Sequence, residues 1–334
     1  MAITGEGARA PAVLLACGDA AGLGVRLGQH LGVGCTPSRD VWFACGEGKH
    51  VIDGNVRGCD VYVLQNVAGP STRTPYERLV MLLHAIDAAR CADAARVTAV
   101  VPYLPGTRQD KRKDHIREGV STGLFARLLA TAGADMVVTL EPHTESLVGC
   151  FDPTRCVLEA VSLSRPFARF LRDAGVAVDV VASTDLGGLE RARVFAEELG
   201  CGLAALSKER DYASPSKVVH TTVVGDVDGK RVLLVDDIID TGGSVVSAVE
   251  ALWSAGARDV TVAGVHLLLS APAPERLHAL SVQASRRGFS FALAGSSAVP
   301  FFVPGVATTT FELDPLLADI IATINRRGSV RALE

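Results

Sequence analysis

A chain of 334 residues, 48% hydrophobic, is long enough to bury two cores and too apolar for a disordered polypeptide. With 33 basic against 37 acidic residues and a net charge of -4, it has no global attraction for nucleic acid or an anionic membrane, so a small polar ligand is the expected partner. Its 8 cysteines are scattered, with no C-x-x-C pair and no zinc-ligand spacing to a histidine, which reads as free thiols in a cytoplasmic protein.

Residues 1–11 read as an unstructured extension. From Ala12 onward, short apolar strands alternate with amphipathic helices. The strands expected are Ala12–Ala16, Val61–Gln65, Val97–Val101, Met136–Leu140, Val178–Ala182, Leu203–Leu206, Val219–Val224, Val232–Val235 and Val260–His266. This alternation predicts an α/β fold of two related domains with mainly parallel central sheets flanked by helices. The expected division is 12–158 with a C-terminal helical segment 314–334 for the first domain, and 159–313 for the second. Neither a secretion signal nor a membrane span is expected, because the uncharged run Phe289–Phe311 is broken by Gly, Ser and Pro.

Trp42-Phe43-Ala44-Cys45-Gly46-Glu47 precedes a possible hairpin, where Phe43 can stack on a base and Glu47 can accept from an exocyclic amine. For an isolated aromatic and glutamate, packing and a solvated charge are the commoner roles. After the strand at Val97–Val101, Arg108 offers a forked contact to phosphate and Gln109 a contact to a base edge, followed by the basic run Lys111, Arg112, Lys113 and Arg117. Asp110, Asp114 and Glu118 dilute that run and no aromatics interleave it, which argues against a nucleic-acid surface. His143 follows the next strand and is a candidate metal or phosphate contact.

Ser183-Thr184-Asp185-Leu186-Gly187-Gly188 joins a strand to a helix; its Gly-Gly turn suits a pyrophosphate and Asp185 a hydrated metal ion. The polar stretch 207–219 reads as a mobile flap whose Lys208 and Arg210 lie on one side of an extended chain. The most informative stretch is Val232 to Ser244, an apolar strand that meets Asp236 and Asp237 and then a turn Asp240-Thr241-Gly242-Gly243-Ser244 opening a helix. Backbone N–H groups at that helix start suit a phosphate, and the two carboxylates suit sugar hydroxyls or a hydrated cation.

These segments, in this order and over about Val13 to Leu333, resemble ribose-phosphate pyrophosphokinase (PRPP synthetase). The resemblance rests on Arg108-Gln109-Asp110, Ala132-Gly133-Ala134-Asp135, His143, Phe151-Asp152, Asp185-Leu186-Gly187-Gly188, Lys208-x-Arg210 and Asp236 to Ser244. It implies that ribose 5-phosphate lies on Asp240, Thr241, Gly242, Gly243 and Ser244, with Asp236 and Asp237 toward the ribose. By the same resemblance Mg²⁺ meets His143 and Asp185, and ATP lies against Arg108 and Gln109, with Phe43 and Glu47 supplied by a neighbouring subunit. Lys208 and Arg210 are the implied catalytic flap residues, and a homo-oligomer built from dimers, up to a hexamer, is the implied assembly.

The chain departs from the family pattern in three places. Cys45 stands at the Asp position of the usual Phe-Ser-Asp-Gly-Glu segment, Thr184 stands where Pro precedes Asp185, and Pro105-Gly106-Thr107 with Arg117-Glu118-Gly119-Val120 mixes features of two classes. Two other readings cover part of the pattern: a non-catalytic paralogue that binds phosphates within a larger assembly, and a phosphoribosyltransferase that consumes PRPP.

Overall fold

The computed structural model describes residues 10–112, 116–211 and 214–334, with backbone only for 208–211 and 214–220. Most of the expected N-terminal extension, Lys113 of the basic run, and the side chains of Lys208 and Arg210 therefore lie outside the described residues. The chain divides into two compact units, Met1–Ser162 with Leu313–Glu334, and Leu163–Glu312.

The first unit runs through β1 (Ala12–Ala16), α1 (Ala21–Leu31), β2 (Ser38–Trp42), β3 (Gly48–Ile52), β4 (Asp60–Leu64), α2 (Pro75–Cys91), β5 (Arg96–Val100), α3 (Ser121–Ala132), β6 (Met136–Leu140) and β7 (Val157–Val161). Five of these strands form a parallel sheet in the order β1-β4-β5-β6-β7, while β2 and β3 pair separately as an antiparallel hairpin. Every residue of β4 is buried, as expected of a strand covered on both faces. The sheet and its helices enclose a core that includes Leu15, Val63, Leu82, Ile86, Val97 and Leu129. Helix α2 starts on a reciprocal cap, in which Thr74 accepts from the Glu77 N–H at 3.3 Å and Glu77 accepts from the Thr74 N–H at 2.6 Å.

The second unit contains α4 (Ser164–Asp173), β8 (Val180–Ser183), α5 (Leu189–Leu199), β9 (Gly202–Asp211), β10 (Ser214–Val224), β11 (Val232–Ile239), α6 (Gly243–Ser254), β12 (Val260–Leu267), α7 (Ala273–Arg286), β13 (Phe291–Ser296) and β14 (Ala307–Phe311). Its sheet has the order β10-β9-β8-β11-β12-β13-β14 and is parallel except for β10 against β9. From β8 the chain builds β9 and β10 outward on one side, then returns to lay β11 on the other. The carboxyl ends of β8 and β11 thus flank the point where strand order reverses, where parallel α/β sheets open a crevice.

Five strands lie outside those expected: β2 and β3 flank the segment expected to precede a hairpin, which instead forms its turn, β7 crosses the expected boundary at 158/159, and β13 and β14 lie within the uncharged run whose Gly, Ser and Pro residues turn the chain between them. The expected strand Val178–Ala182 begins two residues later, because Asp179 instead holds Arg231 by its backbone N–H at 2.9 Å and its guanidinium at 2.6 Å. Backbone pairing in β9 and β10 runs further into the segment 207–219 than the apolar runs at either end indicated.

Helix α8 (Asp314–Asn325) belongs to the first unit, packing on α1. Asp314, in the first turn of the helix, pairs with Arg26 of α1 at 2.5 Å. At its other end Asn325 donates to the buried Asp60 at 2.9 Å. Among the described residues no helix is long and apolar enough to cross a membrane.

Candidate active site

In the second unit, β8 stops pairing with β11 at Ser183 opposite Val235, so Asp236 and Asp237 project beyond it at the reversal point. Thr184, the first residue after β8, donates its hydroxyl to Asp236 Oδ2 at 2.8 Å. The Asp237 N–H donates to Asp236 Oδ1 at 2.9 Å, and Arg191 of α5 stands 3.6 Å from Asp237 Oδ1. Burial first, and then the neighbouring Asp237 carboxyl, push the Asp236 carboxyl well above the ordinary carboxylate range; Thr184 and Arg191 pull it back.

The turn from Asp240 to Ser244 follows. Gly242, the N-cap residue of α6, adopts φ 74°, the left-handed conformation that glycine takes without strain, and offers no side chain to cap the helix. A helix start of this kind presents its first N–H groups toward an anion, reinforced by the positive end of the helix. A side chain on Gly242 would meet only ordinary contacts at 3.5 Å, so conformation rather than space demands glycine there.

Asp185 occupies part of the second expected nest itself, accepting from the Gly188 N–H at 3.1 Å as it caps the turn Leu186–Gly188. Asp185 follows β8 and the Asp236–Asp237 pair lies within the adjacent β11, although they are 51 and 52 residues apart in sequence.

In the first unit, Arg108 and Gln109 lie on an exposed loop after β5. The loop is tied to the start of α3: Thr122 donates to the Gly106 carbonyl at 3.0 Å, and Ser121 donates to Gln109 Oε1. His143 follows β6, the strand next to β5, and is exposed. Phe43 and Glu47 line a different feature, a cleft of about 590 Å³ between the β2–β3 turn and α2, with Trp42, Tyr76, Val80 and Met81. Arg73, at the α2 entrance, stacks on Trp42 with its guanidinium 4.0 Å from the ring centroid.

Some residues of the sequence pattern turn out to be structural. Asp135 accepts from the Val97 N–H at 2.7 Å and from Arg90, and Asp152 accepts the Thr154 hydroxyl at 2.6 Å. Two contributors to the site were missed. Arg276 of α7 donates to the Thr241 carbonyl at 2.8 Å, and Thr184 reads in sequence only as the lack of a proline. A lone arginine 32 residues beyond Ser244 carries no signal without the fold.

Paired carboxylates beside a helix N-terminus at a sheet reversal point, within one of two α/β units, define a two-domain protein of the phosphoribosyltransferase type. Comparison with known proteins agrees: residues 12–133 match the N-terminal domain of ribose phosphate pyrophosphokinase, and residues 162–291 match the phosphoribosyl transferase domain. The ribose-phosphate pyrophosphokinase of Mycobacterium tuberculosis is 38% identical over 280 residues, 84% of this chain and 82% of the relative. That of Halalkalibacterium halodurans is 33% identical over 312 residues, 93% and 94% of the two chains. The crystal structure of phosphoribosylpyrophosphate synthetase from Mycobacterium smegmatis superposes with a TM-score of 0.82 at 33% identity, covering 95% of this chain and 99% of that one. The chain belongs to the ribose-phosphate pyrophosphokinase family, enzymes of the diphosphokinase class, and that membership is consistent with metal dependence.

Proposed function

We propose that this enzyme transfers the diphosphoryl group of ATP to the anomeric hydroxyl of ribose 5-phosphate, giving PRPP and AMP. The observation that carries the reading is the Asp236–Asp237 pair beside the glycine-started α6 N-terminus. The 5-phosphate binds the turn Asp240, Thr241, Gly242, Gly243 and Ser244, and the two carboxylates accept from the ribose hydroxyls. The sugar O1 forms a bond to the β-phosphorus as the bond from that phosphorus to the α,β-bridging oxygen breaks. AMP departs with the bridging oxygen, and the O1 proton is released.

ATP is assigned to Arg108 and Gln109, with Phe43 and Glu47 from a neighbouring copy. Exposed apolar side chains along the hairpin cleft support assembly into dimers and a larger homo-oligomer: Phe43, Tyr76 and Val80 are 49%, 63% and 51% exposed. Lys208 and Arg210 are assigned the neutralisation of charge developing on the transferred group.

Asp185 is an oxygen donor with one oxygen hydrogen-bonded and lone pairs to spare, a chemistry that fits hydrated Mg²⁺, and His143 is assigned to the same cofactor. When bound, Mg²⁺ supplies charge neutralisation to the polyphosphate. A cytoplasmic location is supported by 8 cysteines that are all unpaired.

The reading of a PRPP-consuming transferase accounts for the second unit alone. ATP labelled at the β-phosphorus and, separately, at the α-phosphorus decides the matter. Transfer of β-label to the sugar with α-label kept in AMP supports diphosphoryl transfer; β-label that stays in the nucleotide contradicts it.

A further inference from the structure

Cys17, Asp40 and His50 come from three separated stretches of the first unit, and one ligand-capable atom of each lies within 4.8 Å of the other two. Cys17 follows β1, while Asp40 and His50 face each other across β2 and β3. Cys17 is fully buried, the His50 side chain is 0% exposed and that of Asp40 is 8% exposed. Asp40 Oδ1 stands 2.8 Å from His50 Nδ1, and Asp40 Oδ2 accepts from the Gly18 N–H at 2.8 Å. Gly18 is needed for that approach, because a Cβ there would stand 2.9 Å from Oδ2. His50 Nε2 is buried with no hydrogen-bond partner among the described residues. A hydrogen-bonded Asp–His staple accounts for the contact between Asp40 and Nδ1 but not for a third donor type, the Cys17 sulfur, buried within the same cluster.

We propose that Cys17, Asp40 and His50 bind a borderline transition-metal ion of the Zn²⁺ or Co²⁺ class that ties the hairpin to the end of β1. Sulfur, imidazole nitrogen and one carboxylate oxygen are the donor set such ions take, whereas Mg²⁺ prefers oxygen ligands and retained waters. Ligands of a four-coordinate zinc lie roughly 3–4 Å apart, so the site closes by about an ångström on binding. The ion displaces the Cys17 thiol proton to solvent, and thiolate plus carboxylate then balance its two positive charges, which makes burial acceptable. This ion is distinct from the cation assigned to the reaction and does not depend on that assignment.

The test uses the full-length protein, stripped with a chelator and titrated with Co²⁺. The expected result is a near-ultraviolet thiolate-to-cobalt absorption that saturates with one ion per chain. In Cys17→Ser the band disappears and stoichiometry falls by one, while Cys91→Ser, at an exposed cysteine, changes neither. His50→Gln weakens the band-forming event at least about tenfold and serves as the second variant should Cys17→Ser fail to fold, as judged by circular dichroism. Cobalt uptake by the wild type without a thiolate band, or a band that survives both Cys17→Ser and His50→Gln, overturns the site.

Discussion

Thr184 donates its hydroxyl to Asp236 at 2.8 Å, joining the residue after β8 to the carboxylate that projects from β11. Because the bond stabilises the ionised acid, its removal shifts Asp236 further up. A hydrogen bond to a charged group is worth roughly 1.5–3 kcal/mol, or about one to two pH units. Thr184→Val should therefore move the acidic limb of the kcat/KM profile for ribose 5-phosphate upward by about one pH unit. An unmoved limb with a uniformly lowered rate would assign Thr184 to packing alone.

The acid pair also predicts how stability depends on pH. Asp236 has its folded-state value raised, so its contribution is fully present below the unfolded value of about 3.9 and is lost as pH rises through the raised one, about 7. The unliganded protein should lose stability between about pH 4 and pH 7 from this source. Asp236→Asn should flatten that slope and be more stable than wild type at pH 8 by up to a few kcal/mol, while losing activity. Chemical denaturation at a series of pH values reads the difference directly.

The turn at Gly242 gives an ordering of variants. Its φ of 74° penalises β-branched residues most and Asn least, whereas the space around it is ordinary. Binding of ribose 5-phosphate should weaken in the order Asn, Ala, Val, with Ala costing about 1–2 kcal/mol and so roughly tenfold in affinity. ATP binding should stay within about twofold. Titration calorimetry with each ligand separates a local change in the turn from a global loss of fold.

Much of this was legible in the sequence, for reasons that differ by element. Ala12–Ala16 and Met136–Leu140 read correctly because predominantly apolar runs are what buried parallel strands require. The Asp236–Ser244 stretch was legible because one local run holds the strand end, both acids and the turn. The edge strand β14, whose only apolar residue beyond Ala307 is Phe311, carried no such run. Thr184 and Arg276 reach the site from β8 and α7, and Cys17, Asp40 and His50 converge from three stretches. Sequence spacing is silent on such convergence, which is why the cysteines read as scattered.

The flap assignment makes the sharpest kinetic claim. Removing one preorganised cation from a charge-developing centre costs about 3–4 kcal/mol, or roughly 10²–10³ in turnover. Lys208→Ala and Arg210→Ala should each lower kcat by about 10²-fold, with KM for both substrates changed by less than about fivefold. Larger effects on KM than on kcat would assign these residues to ground-state binding.

The most direct test of the whole account incubates the purified protein with ATP, Mg²⁺ and ribose 5-phosphate and follows the phosphorus resonances by NMR, with the Lys208→Ala, Arg210→Ala double variant in parallel. The account predicts that AMP and PRPP appear in step, in equal amounts, and that the double variant forms neither at a comparable rate. Absence of AMP with ATP and every other nucleoside triphosphate tried, from protein that is folded and binds ribose 5-phosphate, would contradict it.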